Sequence, residues 1–120
     1  MKTKSVLLFI LLGVMGLVYG CGKSHSNPMP TNGAPAMAAT VNIQNFAFSP
    51  AVVHVLPGGT VTWTNKDTAP HTATDLNGAF DSSTLNTGQS FKFTFNNPGT
   101  YTYHCLIHSM MANATVIVGN

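Results

Sequence analysis

Five side chains with soft donor atoms crowd one short stretch near the end of the chain, "YTYHCLIHSMM". Residues His104 to Met111 supply one thiol, two imidazoles and two thioethers, although the rest of the chain has only one other Cys and three other His. A thiolate, an imidazole and a thioether together favour copper, above all in its cuprous state. Zinc instead prefers closed sets of four Cys or His ligands. The stretch therefore predicts a copper site built on Cys105, His108 and either Met110 or Met111.

A second imidazole has to come from elsewhere in the chain. His71, in "TAPHTAT", follows a predicted strand and stands just after a Pro, on a segment that can reach the end of the fold where Cys105 lies. His71 is therefore the candidate for this ligand. His54, in "VVHVLP", is predicted to be a surface residue on a strand.

The segments around these residues alternate between apolar and polar side chains with a period of two. Turn residues separate the segments, and no helical period of useful length occurs. Several short strands within about 80 residues predict an all-β fold, either a β-sandwich or a Greek-key barrel. The core is expected to include Val61 and Trp63 from "TVTWTN" and Phe91, Phe93 and Phe95 from "QSFKFTFNNPG".

The same alternation predicts where the thiol lies. In "TYTYHC", Cys105 shares a face with Tyr101 and Tyr103, and His104 points to the opposite face. Because the tyrosines are expected to face inward, Cys105 is expected at the top of the core, where water is scarce. His104 is expected to lie outside the metal site.

The combination of His71 with the spacing C-x-x-H-x-x-M, from Cys105 to Met111, resembles the cupredoxins, the small blue copper proteins, and is most similar to their amicyanin and plastocyanin branches. Residues 41–118 carry the resemblance, above all "GGTVTWTNKDTAPHTAT" and "GTYTYHCLIHSMM". It implies a Greek-key sandwich of about eight strands that binds one type 1 copper ion at one end. It also implies that His71, Cys105 and His108 form the strong trigonal ligand set and that Met111 is the axial ligand.

Two positions beside the ligands depart from the pattern of this family. Thr72 stands where the family usually has an Asn that ties the two ligand loops together, and Thr is expected to donate one hydrogen bond without bridging the loops. Ile107 stands where Pro is frequent, and its retained N–H is expected to point at the Cys105 sulfur. Such a hydrogen bond would stabilise Cu(I) and raise the potential.

The first 20 residues predict a bacterial lipoprotein signal peptide. Lys2 and Lys4 precede an apolar run that ends in the lipobox-like "VYGC". We therefore expect a lipidated Cys21, a flexible tether over residues 21–39 and a copper domain over residues 40–120. The protein would then be exported and anchored to the bacterial envelope, facing the periplasm or the exterior. The alternative is an ordinary secretory peptide, with Cys21 free or in a disulfide.

Composition and charge restrict the functions that the protein could have. Without the signal peptide, three Lys balance three Asp, so the formal charge is zero and nothing indicates a nucleic-acid partner. The leading hypothesis is a monomeric one-electron carrier, not an enzyme, whose copper cycles between Cu(I) and Cu(II). Its partners are expected to be redox proteins such as a c-type cytochrome, a dehydrogenase or an oxidase. They would dock on an apolar patch beside His108 that consists of Leu106, Ile107 and Met110.

Two other functions compete with this hypothesis. Copper delivery or storage is the main alternative, and it is supported by His25, Met29 and Met37 in the tether, which could capture copper transiently. A delivery protein needs an exchangeable, exposed site, whereas Cys105 is expected to be buried. The second alternative is a fragment of a copper oxidase or nitrite reductase, in which His104 would bind another copper ion. The segment after His71 lacks the further His that such a site requires.

Overall fold

The computed structural model describes residues 34–120, which form a β-sandwich of seven strands. The strands are β1 (Ala36–Gln44), β2 (Ala47–Ser49), β3 (Val52–Asn65), β4 (Thr74–Asp75), β5 (Ser90–Phe95), β6 (Gly99–His104) and β7 (Ala114–Val118). Hydrogen-bonded neighbours follow the order β2-β1-β3-β7-β6-β4, and β5 pairs with β3 outside that path. No helix in this part of the chain is long and apolar enough to cross a membrane.

One long strand accounts for the difference between seven strands and the expected number of about eight. The runs "AVVHVLPGG" and "TVTWTN" form the single strand β3, which pairs with β7 in its first part and with β5 in its second part. Between the two parts, Gly58 has a φ of 88°, and a Cβ on Gly59 would lie only 2.8 Å from the Leu56 carbonyl oxygen. Glycine at these two positions permits the left-handed backbone and the close approach at the junction between the two parts of β3.

The core contains the aromatic residues that the alternation of apolar and polar side chains predicted to face inward. Trp63 is completely buried and packs against Phe80, with ring centroids 5.0 Å apart, and against Tyr103 in an edge-to-face contact at 5.5 Å. Phe95 is buried, whereas Phe91 and Phe93 are half-buried at the margin of the same cluster. Burial raises the pKa of the Tyr103 phenol well above its ordinary value. The aromatic residues expected in the core therefore form one packed cluster beneath Cys105.

Strand β1 begins within the segment that the sequence assigned to the tether. Residues 36–39, which were expected in the tether, belong to β1, because their backbone pairs with β3 from Ala36, opposite Val55, onward. Met37 is therefore an exposed residue of a strand and not part of a tether. The predicted signal peptide, Cys21, His25 and Met29 lie outside the described residues.

The loops that follow β1, β3 and β6 meet at one end of the sandwich. Backbone N–H groups after β1 reach the loop after β3, and that loop in turn contacts the loop after β6. Ala36, where β1 begins, lies at the other end, about 26 Å away at roughly 3.3 Å per strand residue. The candidate ligands therefore converge at the end of the domain that is remote from its N-terminus.

Candidate metal centre

Strand β6 delivers the thiol to the core. Tyr103 is fully buried and Cys105, two residues further on, is 2% exposed, whereas His104 between them is only half-buried. The alternation of a strand thus carries Cys105 inward at the point where β6 ends, as predicted. Cys105 is a free thiol and is the only cysteine in the described part of the chain.

The loop after β3 holds the first imidazole in a fixed place. His71 is 0% exposed, and its backbone exchanges two hydrogen bonds with Leu85, at 3.1 and 2.7 Å. The buried Asn65 side chain braces the same loop by donating to the carbonyl oxygens of Ala69 and Leu85, both at 2.8 Å. Sequence reasoning missed Asn65, because an Asn at the end of a strand is indistinguishable from an ordinary turn residue.

Three donor atoms form a closed triangle at this end of the sandwich. The Cys105 Sγ lies 3.7 Å from the His71 Nδ1 and 3.8 Å from the His108 Nδ1, and the two nitrogens are 3.2 Å apart. A point equidistant from all three atoms lies about 2.1 Å from each, which is close to the length of a bond between a first-row metal and an imidazole nitrogen. These three residues are the one cluster of potential metal ligands found in residues 34–120.

The two neighbouring methionines differ sharply in their surroundings. Met111 is 5% exposed, and its N–H donates to the His108 carbonyl oxygen at 3.1 Å, whereas Met110 is 81% exposed. Of the two, only Met111 therefore lies in the interior, as a metal ligand would have to. His71, Cys105, His108 and Met111 together form a ligand set suited to copper, since they combine a thiolate, two imidazoles and a thioether.

A carboxylate holds the far side of the His71 ring. The Asp67 Oδ2 lies 2.9 Å from the His71 Nε2, so that this nitrogen carries the proton and leaves Nδ1 free to face the triangle. The same carboxylate accepts hydrogen bonds from the N–H groups of Phe46 and Asn45, at 2.9 and 2.7 Å. The Phe46 N–H, above all, holds the pKa of Asp67 below its ordinary value, against the opposing effect of burial, and the Asn45 N–H and His71 add to it.

Thr72 bridges the two ligand loops, contrary to the expectation that Thr could not replace Asn here. Its N–H lies 3.4 Å from the Cys105 Sγ, and its Oγ1 accepts a hydrogen bond from the Leu106 N–H at 2.9 Å. The hydroxyl can also donate to the Thr74 Oγ1 at 3.0 Å, because an O–H group both accepts and donates. The prediction counted only the donor capacity of Thr and overlooked its lone pairs.

Ile107 does not supply the hydrogen bond that the sequence suggested. Among the described residues, the backbone N–H that donates to the Cys105 sulfur belongs to Thr72, on the other loop. The chain turns immediately after Cys105, the Leu106 N–H is taken by Thr72, and the side chain of Ile107 is exposed. The predicted effect of Ile107 on the potential therefore loses its structural basis.

An aromatic residue that the sequence did not indicate lies over both imidazoles. The Phe46 ring stands nearly perpendicular to the rings of His71 and His108, with centroid distances of 5.2 and 5.0 Å. Phe46 is 46% exposed, and its backbone has a left-handed φ of 56°. In the sequence it is one of the two aromatic residues in "NFAFSP", and nothing there distinguishes it from core-forming Phe48.

The remaining candidate residues lie outside the triangle. His104 and His54 are half-buried on strands β6 and β3, and neither belongs to the ligand cluster. Leu106, Ile107 and Met110 are exposed beside His108, which is itself half-buried. An apolar surface therefore surrounds the one ligand ring that reaches the outside.

Comparisons with known proteins agree with this architecture. A family model described as "Cupredoxin-like domain" matches residues 8–118. The chain is 28% identical to "Amicyanin" of Paracoccus denitrificans over 97% of its own length and 95% of that protein. It is 33% identical to "Amicyanin-alpha" of Methylorubrum extorquens over 70% of its own length and 75% of that protein.

Solved structures show the same similarity. "Novel Purple Cupredoxin from Nitrosopumilus maritimus" matches with a TM-score of 0.62 and 34% identity, over 68% of this chain and 99% of that one. A reduced Cu(I) form of an amicyanin variant matches with a TM-score of 0.63 and 29% identity, over 71% of this chain and 85% of that one. The family model covers most of the chain, and the fold and the donor set agree with it. The chain belongs to the cupredoxin-like family.

Proposed function

We propose that the protein is a one-electron carrier whose single type 1 copper ion cycles between Cu(I) and Cu(II). The observation that carries this proposal is the closed triangle of Cys105, His71 and His108, whose donor atoms already stand within bonding distance of a common point. Its relatives include proteins whose names mark them as amicyanins and cupredoxins, which supports the same function. When bound, copper would supply the one-electron couple.

The residues around the triangle restrict its movement. Asp67 holds the His71 ring, the Thr72 N–H faces the Cys105 sulfur, and the Thr72 hydroxyl fixes the start of the loop that carries His108. A site held in this way changes its geometry little when its charge changes, so the cost of reorganisation is low. Burial of the thiol also separates it from solvent oxidants and from competing metals, which suits a carrier better than a delivery site.

Partner proteins would approach through the end at which His108 reaches the surface. We propose that Leu106, Ile107 and Met110 form the docking patch, because all three are exposed and apolar beside that ligand. Short-lived redox complexes use small interfaces, and a patch of this kind fits a c-type cytochrome, a dehydrogenase or an oxidase. With a formal charge of zero after loss of the signal peptide, the protein should be steered only weakly by charge.

We also propose that the protein is anchored to the cell envelope through a lipid on Cys21. The lipobox-like "VYGC" supports this, and so does the position of Ala36, at the end of the sandwich remote from the ligands. A flexible tether of 15 residues attached there would have a typical end-to-end length of about 20 Å. The end of the domain that begins with Ala36 would then lie nearer the membrane than the copper end. Cys21→Ala should release the protein from the membrane fraction or block its processing, whereas Cys105→Ser should fractionate normally. Unchanged membrane association of Cys21→Ala would contradict the anchor.

The carrier function is tested by adding Cu(II) to the metal-free protein and recording the visible spectrum. An intense charge-transfer band from thiolate to copper is expected, and Cys105→Ser should abolish it while far-ultraviolet circular dichroism shows that the fold is kept. A protein that binds only Cu(I), without colour, would support copper delivery or storage instead. A band of full intensity in Cys105→Ser would refute the ligand assignment.

A further inference from the structure

One carboxylate connects the buried ligand to the outer surface of the site. The Asp67 side chain is 12% exposed and faces three N–H donors, which are the ring of His71 and the backbones of Asn45 and Phe46. Asp67 is itself held, since its N–H donates to Asn65 Oδ1 at 2.9 Å and its carbonyl accepts from Thr87 Oγ1 at 2.7 Å. Asp67 therefore acts as a fixed point to which the two neighbouring segments are attached.

The segment on the other side of this carboxylate is strained. Asn45 and Phe46 have consecutive left-handed φ angles of 54° and 56°. Asn tolerates this conformation, but in Phe it brings the Cβ atom too close to the following carbonyl oxygen. Such strain persists only where the surroundings determine the conformation, and here Asp67 accepts both N–H groups. The result of the strain is that the Phe46 ring is turned onto the imidazoles of His71 and His108.

We propose that Asp67 is a positioning residue that couples ligand His71 to Phe46, so that one carboxylate sets both the electron density at the metal and the closure of the site by an aromatic ring. This inference rests on the proposed copper function and deepens it. Asp67 accepts a hydrogen bond from the His71 Nε2–H, which makes the Nδ1 atom a stronger electron donor to a bound metal. A stronger donor favours Cu(II). Holding the Asn45–Phe46 turn keeps the Phe46 ring against His108, whose ring nitrogens make no hydrogen bond in the described residues except those within the triangle.

The substitution Asp67→Asn separates this role from general packing. All three groups that face the carboxylate are donors, and an amide offers one acceptor oxygen and one donor NH₂ in place of two acceptor oxygens. At least one of the three hydrogen bonds must therefore be lost without a change of size. Asp81→Asn is the matched control, because Asp81 also accepts a backbone N–H, from Ser83, and a side-chain hydroxyl, from Thr74, but contacts no ligand residue.

Three measurements test the proposal. Copper affinity should fall about 10- to 100-fold in Asp67→Asn, as is usual when the partner of a ligand imidazole is removed. The reduction potential should rise, because loss of the carboxylate disfavours Cu(II). In the metal-free protein, nuclear Overhauser contacts between the ring protons of Phe46 and His108 should weaken. Asp67→Glu, which keeps the charge, should recover part of the affinity, and Asp81→Asn should resemble the wild type in all three measurements.

A second variant separately tests the contact of Phe46 with the two imidazoles. Phe46→Leu leaves the hydrogen bond between Asp67 and His71 in place, so its potential should stay near that of the wild type, whereas a chelator should extract copper several-fold faster. Wild-type affinity, potential and ring contacts in folded Asp67→Asn would overturn the proposal. If instead the wild type bound copper without a reversible couple, while Asp67→Asn still displaced Phe46 and weakened binding, the carrier function would fail and the coupling would stand.

Discussion

The two imidazole ligands are held in opposite ways. His71 is fully buried, and its Nε2 is fixed by the Asp67 carboxylate at 2.9 Å. Its backbone N–H and carbonyl oxygen both form hydrogen bonds with the backbone of Leu85. His108 is half-buried in a loop of exposed apolar residues, and the contact that covers its ring comes from Phe46. The first ring is placed by directional hydrogen bonds, the second mainly by packing.

This difference indicates that His71 and His108 have different roles. A ligand fixed by a charged hydrogen bond sets the geometry and electron density of the site, since it cannot turn without losing that bond. A ligand on the surface gives electrons a short route to a partner, and it must stay accessible to do so. The loop after β3 thus carries the rigidly held ligand, and the loop after β6 carries the accessible one. Thr72 joins the two loops by a hydrogen bond.

The comparison is tested most strongly by removing each ring in turn. His71→Gly should lose the coloured copper species, and added imidazole should not restore it, because the space lies in the closed interior. His108→Gly should lose the same species and regain it with imidazole, because the space opens to solvent. Visible spectra with and without imidazole decide between these outcomes. Equal rescue of both variants would show that the two positions do not differ in access.

Removing the bridge between the loops should have the next largest effect. Thr72→Val keeps the shape of the side chain but leaves the Leu106 N–H without its acceptor, which should lower the free energy of unfolding by about 1–3 kcal/mol. Thr74→Val lies one hydrogen bond further out and should cost less. Denaturant unfolding of the two metal-free variants measures the difference. A larger loss in Thr74→Val would argue against the bridging role of Thr72.

The methionines provide a smaller and more specific test. Met111→Gln should lower the reduction potential, because an oxygen ligand favours Cu(II) over Cu(I), and Met110→Gln should change it little, because Met110 is 81% exposed. Voltammetry on the two variants measures both shifts. If Met110→Gln shifted the potential more than Met111→Gln, the axial assignment would have to be reversed.

The smallest spectral effect is expected at His104. This residue adjoins Cys105 but faces the other side of β6, so His104→Ala should leave the visible spectrum nearly unchanged. Electron exchange with a redox partner should slow modestly, because covalent bonds lead from Cys105 to this position. Stopped-flow kinetics beside the spectrum test both statements. A lost or strongly shifted band would mean that His104 is part of the site.

The parts of the site that the sequence predicted are those governed by local periodicity. Alternation along β6 put Cys105 inside and His104 on the opposite face, and the structure places both residues so. The resemblance to the cupredoxins implied Met111 rather than Met110, and the structure buries Met111. For Cys105 and His104, the direction of the side chain follows from the position of the residue along a strand relative to a neighbour of known burial.

The parts of the site that the sequence did not predict depend on contacts between segments that are far apart in the chain. Asp67 resembles any turn Asp until the loop after β1 is brought against it, 21 residues away in sequence. Phe46 resembles a core aromatic residue, because its left-handed backbone cannot be inferred from residue type. The exact limits of the strands could not be predicted for a related reason, since pairing with β3 places the start of β1 at Ala36, and pairing with β5 and β7 makes two predicted runs into the single strand β3.

A reductive titration of the copper-loaded protein, followed at the visible band, tests the central claim most directly. If Cys105, His71, His108 and Met111 hold one copper ion in a preformed cage, one electron per chain should bleach the band completely. Reoxidation should then restore it in full with the same metal content. Loss of copper on reduction, or a band that needs anything other than one electron per chain, would contradict the account.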